Sequence, residues 1–160
     1  MIGEKYMPEK SNSSGTYGEP ERHSARIKAI KRIANAIERD QDSKKRFLQA
    51  WLKGVKKIGW QYFQYQSPID TRHLPRVDSI EEVIDKLQAM PDCKLIRENI
   101  GSMSSGESAL LAAMCSIFNA NWGGELMREV GINGLADLSR RLDEAGTDVV
   151  SELLINYRGW

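Results

Sequence analysis

Apolar side chains recur along this chain mostly at helical spacing. Over residues 22–41, Ile27, Ile30, Ala34 and Ile37 fall at i, i+3, i+7 and i+10, with Ile33 beside them. That is one face of a 3.6-residue period, so a first helix is expected there. Lys28, Arg32 and Arg39 lie on the opposite face, and Ser24 suits the N-cap. A second amphipathic helix is expected over 43–65, capped by Asp42 or Ser43. Its stripe is Phe47, Trp51, Val55, Ile58 and Tyr62, widened by Leu48 and Leu52, with Arg46, Lys53 and Lys57 on the far side. Gly54 and Gly59 each cost about 1 kcal/mol against Ala in a helix interior. Either they permit close helix contact, or the helix ends near Gly59 and residues 60–65 are extended.

Residues 67–77 read as a loop, marked by Pro68 and Pro75. Ser79-Ile-Glu-Glu82 has the form of a capping box and predicts a third helix with Ile80, Val83, Ile84 and Leu87 inward, stopped by Pro91. Residues 94–100 fit a strand or a helical turn equally well. A fourth helix is expected from Ser104 (N-cap) and Glu107 (N3) to about Phe118; its Leu110, Leu111, Met114, Cys115, Ile117 and Phe118 leave little polar face, which marks a central buried helix. A short helix over 125–130 should end at Gly131, and another over 134–145 should end at Gly146. A last helix is expected from the cap Thr147, with Val149, Val150, Leu153, Leu154 and Tyr157 inward. The sum is an all-α, helical-bundle-like domain of six or seven helices over 22–160, a basic helix pair (22–65) followed by an acidic helical core (79–160). Residues 1–21, rich in Gly, Ser, Pro and Glu and almost without aliphatic side chains, read as a disordered tail.

Composition changes this picture little. The 160 residues are 41% apolar and 28% charged, which suits one globular domain and excludes wholesale disorder. No apolar run near the N-terminus has secretory-signal form. The longest charge-free stretch, 108–124, is too short and too polar to span a membrane. Cys93 and Cys115 lack C-x-x-C spacing and read as reduced thiols, so a cytoplasmic protein without membrane contact is expected.

Charge changes it more. The formal net charge is only +1, yet residues 22–57 carry twelve Lys or Arg against three acids, while 58–160 carry nine basic against fifteen acidic groups. Such asymmetry bears on partners rather than on fold. The basic pair, with Trp51, Trp60, Tyr62, Phe63 and Tyr65 close behind, suits a polyanion: cations would contact phosphates, and exposed aromatics would stack on unpaired bases. The phosphate-contacting residues expected from this pattern are Lys28, Arg32, Arg39, Arg46, Lys53, Lys56 and Lys57. The alternatives are an interaction module or inhibitor docking on an acidic protein surface, and neutralisation by the chain's own acidic helices.

Other motifs carry less. Gly101 to Ser108 has the spacing of a phosphate-binding loop, but Glu107 stands where that loop needs Lys, so no nucleotide is expected. Residues 125–142 have the outline of a helix-turn-helix, but Asp137, Asp143 and Glu144 make its second helix acidic, which suits a helical hairpin better. His73 lies in a loop flanked by Pro75, and nothing in the spacing pairs it with Cys93 as base and nucleophile. No clustered Cys/His or hydrolase motif occurs. The chain is therefore expected to be non-enzymatic, without cofactor or metal. Trp122 and the terminal Trp160, each beside glycine, are expected to dock in the core.

Overall fold

The computed structural model describes residues 19–67 and 72–159. The described residues are all-α, as the periodicity predicts: six α-helices and four short 3-10 turns, with no strand among them and one isolated antiparallel bridge between Tyr65 and Met90. Of the disordered tail expected over 1–21, residues 1–18 lie outside the described residues and 19–21 belong to the first helix; part of the proline loop (68–71) and Trp160 also lie outside them.

The two basic helices are one. α1 runs Glu19–Ile58, and neither Asp42 nor Ser43 caps a new start. The reason is local. Residues 21–53 contain no Gly or Pro. Asp and Ser inside a helix cost only about 0.5 kcal/mol each, less than nucleating a second helix. Asp40 instead pairs with Lys44 one turn on, at 2.7 Å. α1 stops at Gly59, whose φ of 127° only glycine adopts readily. Residues Trp60–Phe63 form a 3-10 turn rather than an extended segment.

Contacts divide the chain into two units, Met1–Glu38 and Arg39–Trp160. In the second unit, one face of α1 seats Phe47, Trp51 and Val55 in the core. α3 (Ser105–Phe118) is the central helix, with Ser108 to Cys115 all buried. Asn119 then turns the chain directly into α4 (Ala120–Glu129), its side chain accepting from the Trp122 N–H at 3.0 Å. α4 therefore begins five residues before the helix expected over 125–130, in a stretch whose paired glycines argue against helix. It ends as expected, at Gly131 (φ 77°). α2 (Cys93–Asn99) resolves the ambiguous segment as helix, because Asp92 accepts from the N–H groups of Lys94 and Leu95.

Other caps also differ from the sequence reading: Ser24 lies inside α1 rather than at its start, and Thr147 lies inside the last helix. Ser79 makes no side-chain cap, and the expected third helix is two 3-10 turns, Ile80–Glu82 and Lys86–Ala89. The working box is Asp85 with Gln88. Gln88 is fully buried: its Oε1 accepts from the N–H groups of Ile84 and Asp85, and its Nε2 donates to Pro75 C=O at 2.7 Å. Ile84 consequently points outward. Gly146 does not end a helix either. α5 (Leu135–Arg141) stops earlier, and Asp143 caps α6 (Glu144–Asn156) by accepting from the Gly146 N–H at 2.8 Å.

The expected box at α3 is present. Ser104 Oγ and N–H donate to Glu107 Oε2 at 2.7 and 3.1 Å, which holds the Glu107 pKa below the usual glutamate value. A carboxyl whose folded pKa is depressed adds stability above its unfolded value, about 4.3, and loses it as pH falls through the folded value. Thermal melts across pH should therefore separate wild type from Glu107→Gln at pH 6. The two curves should converge as pH falls through the folded value.

Candidate nucleic-acid interface

In the unit 1–38, every described side chain from His23 to Glu38 is exposed. Lys28 and Arg32, one turn apart, share a face and make no hydrogen bond or ion pair among the described residues. The opposite stripe is open as well. Ile27, Ile30, Ile33 and Ile37 are 42%, 64%, 60% and 53% exposed. The apolar face that the sequence assigns to a core is thus presented to solvent.

In the unit 39–160, Arg39, Arg46 and Lys53 recur every seven residues along α1, two helical turns apart, and all three are exposed. Arg46 and Lys53 have no ion pair or hydrogen bond among the described residues. Lys57 differs: its ammonium meets Asp143 Oδ2 of α6 at 2.7 Å. That contact and the Gly146 N–H hold the Asp143 pKa below the usual carboxylate value. Lys53, Lys56 and Lys57 also line a cavity of about 440 Å³ whose other lining includes Asp148 and Glu152 of α6. Neutralisation by the chain's own acidic helix, one of the readings left open by the sequence, is therefore realised at Lys57.

The aromatics behind the basic run are not a stacking platform. Trp51 and Phe63 are fully buried, and the Trp51 indole N–H donates to Ala89 C=O at 2.9 Å. Trp60 and Tyr62 are half-buried, the former bonded to Asp78 C=O at 3.1 Å. Tyr65 alone of the five is exposed, at 50%. Apolar burial outweighs base access here because these rings lie on the stripe that closes the core.

In the hairpin 120–141, Arg140 pairs with Asp137, and Arg141 donates to the Val130 and Gly131 carbonyls, tying α5 to the turn after α4. The 101–108 segment is the 3-10 turn Ile100–Ser102 followed by the Ser104–Glu107 cap: Ser102 Oγ donates to Asn99 C=O at the end of α2, and Ser104 serves the start of α3.

Cys115 is buried and its thiol pKa is pushed well up by that burial. Burial first, and then Asp92, also raise the pKa of the Cys93 thiol, away from the thiolate that a nucleophile requires. Among the described residues, no group of three His, Cys, Asp or Glu is placed to hold a metal ion. None of the helices searched is long and apolar enough to cross a membrane. No family model, curated protein or solved structure matches the chain.

Proposed function

We propose that this chain binds nucleic acid through cations on the outer face of α1, mainly by phosphate contact and with weak sequence preference. Two observations carry the reading: Lys28 with Arg32 in the unit 1–38, one turn apart, and Arg46 with Lys53 in the unit 39–160, two turns apart, each exposed and with no ion pair among the described residues. Arg39 shares the seven-residue spacing. Lys56 lines the same cavity as Lys53, and Lys57 contributes less, because it pairs with Asp143 of α6.

Four phosphate contacts release enough counterions to give a log–log salt slope of about −3.6, so affinity should fall about 100-fold between 50 and 200 mM salt. Anisotropy titration of a labelled duplex and a labelled single strand measures this directly. Reversal of Lys28 and Arg32 to Glu should weaken all sequences alike and flatten the slope. Absence of binding to either probe at 50 mM salt would sink the proposal.

A second reading rests on the exposed isoleucines. Anchors at Ile27, Ile30 and Ile37 with cations around them suit a helix laid in an apolar groove of an acidic protein. Nucleic-acid binding does not need that stripe. The double substitution Ile30→Gln with Ile37→Gln, which adds no charge, should therefore leave duplex affinity nearly unchanged under the first reading and abolish partner binding under the second.

A further inference from the structure

The unit 39–160 contains a cavity of about 430 Å³ that uses none of the cations assigned above. That volume lies in the range of small-ligand sites, about 300–1,000 Å³. Phe47 and Leu48 of α1 contribute apolar lining, and Ile84 forms an apolar lip that is 67% exposed. Lys44, Lys45, Lys86 and Arg158 also line it, against the single carboxylate of Asp85.

Asp85 is committed to its cap, accepting from the Leu87 N–H at 2.9 Å. Lys44 shares its charge with Asp40, whereas Lys45 has no ion pair or hydrogen bond among the described residues. Among the described residues, Arg158 donates to neutral oxygens, Ser43 Oγ and its neighbour's carbonyl, both at 3.3 Å. The Lys86 ammonium stands 5.4 Å from the Phe47 ring centroid and donates to Gly159 C=O. Its pKa is lowered, chiefly by burial; Asp85 opposes this and the like charge of Lys44 adds to it. An anion placed among these groups relieves that repulsion, and a cation increases it. A bare inorganic anion would leave Leu48 and Ile84 uncovered.

We propose that this cavity binds a small amphiphilic anion, a carboxylate carried on a short hydrocarbon chain. The carboxylate sits among Lys44, Lys45 and Arg158, and the hydrocarbon covers Leu48 and Ile84.

Calorimetric titration of the full chain tests this with three probes: decanoate below its micellar concentration, acetate, and decyltrimethylammonium. Decanoate should bind saturably at one site. Acetate, lacking the apolar body, should bind at least 100-fold more weakly. The cationic analogue should not bind. Lys45→Glu and Arg158→Glu should each weaken decanoate about 10-fold, the loss of a charge-assisted contact, without changing the melting temperature. Ile84→Asp should weaken it similarly. Equal binding of the cationic analogue, unchanged decanoate affinity in all three variants, or no saturable decanoate signal up to millimolar concentration would each overturn the assignment. Salt-dependent duplex binding reads a different face, so either result stands without the other.

Discussion

Trp51→Ala lowers the stability of this chain by about 4 kcal/mol, a cost at the level of the largest single core truncations. On a domain of this size that corresponds to a fall in melting temperature of roughly 8–16 °C. The expectation rests on geometry. The indole is fully buried, stacks on Phe47 at 6.1 Å and meets Phe63 edge-on at 5.7 Å. Its N–H satisfies Ala89 C=O, joining α1 to the segment that leads into α2. Truncation leaves a cavity among rings that cannot collapse into it, and a carbonyl without its donor. Trp51→Phe restores most of the ring packing but not the hydrogen bond, so it should recover more than half of the loss. Chemical denaturation of the three proteins measures the series. The same variant bears on function. Trp51 carries no charge and touches no solvent, so duplex affinity of folded Trp51→Ala should stay within about twofold of wild type, as phosphate contact requires. A collapse of affinity with the fold intact would return the aromatics to the interface.

Helical periodicity was enough to place the fold class, because stripes such as Leu110, Leu111 and Met114 have no other economical explanation. Caps were legible where one box stood alone. Ser104 with Glu107 precedes a long apolar run and has no rival. Ser79 with Glu82 does have one, since Asp85 with Gln88 follows at once. The deciding factor is Gln88, which closes its box on the Asp85 N–H and also donates to Pro75 C=O, a partner thirteen residues away that no local pattern identifies. The unbroken α1 was hidden for a different reason. Asp42 and Ser43 are residues that favour caps, and nothing in their own chemistry says that the helix already existed when the chain reached them.

The candidate interface was half legible. A cation on an outer helical face is visible in the sequence, and Lys28, Arg32, Arg46 and Lys53 are where the spacing puts them. Which of them meets an acid is a long-range fact. Lys57 and Asp143 are 86 residues apart, and only the packing of α6 beside α1 joins them. The same holds for the cavity lined by Lys44, Lys45, Lys86 and Arg158. Lys44 and Lys45 belong to the basic run, but no signal in the chain brings Lys86 and Arg158 to them.

Substitution of the two adjacent glycines of α4 should give opposite results. Gly123 faces α3, and a Cβ there would lie well inside contact distance of the Ser116 N and Cα and of the Cys115 carbonyl carbon. These are backbone atoms of the central helix, so no rotamer change relieves the overlap, and α4 must move off α3. Gly123→Ala should therefore cost about 3 kcal/mol, the upper end of the usual penalty for overpacking. Gly124, one residue on, has only the Arg128 guanidinium near its Cβ direction, at 3.8 Å. There alanine gains helix propensity without a clash and should stabilise by about 0.5–1 kcal/mol. Both substitutions are the same in sequence and in helix propensity, so the difference of about 4 kcal/mol between them measures the α3–α4 approach alone. Denaturant midpoints for the pair, with unchanged m-values, provide the measurement. Equal effects at the two positions would mean that α4 does not rest on α3 through Gly123. The approach explains why a Gly-Gly pair that reads as a loop sits inside a helix: the first glycine lets two helices joined by Asn119 alone fold back at backbone contact, and the propensity lost there is repaid by burying Leu126 against α3.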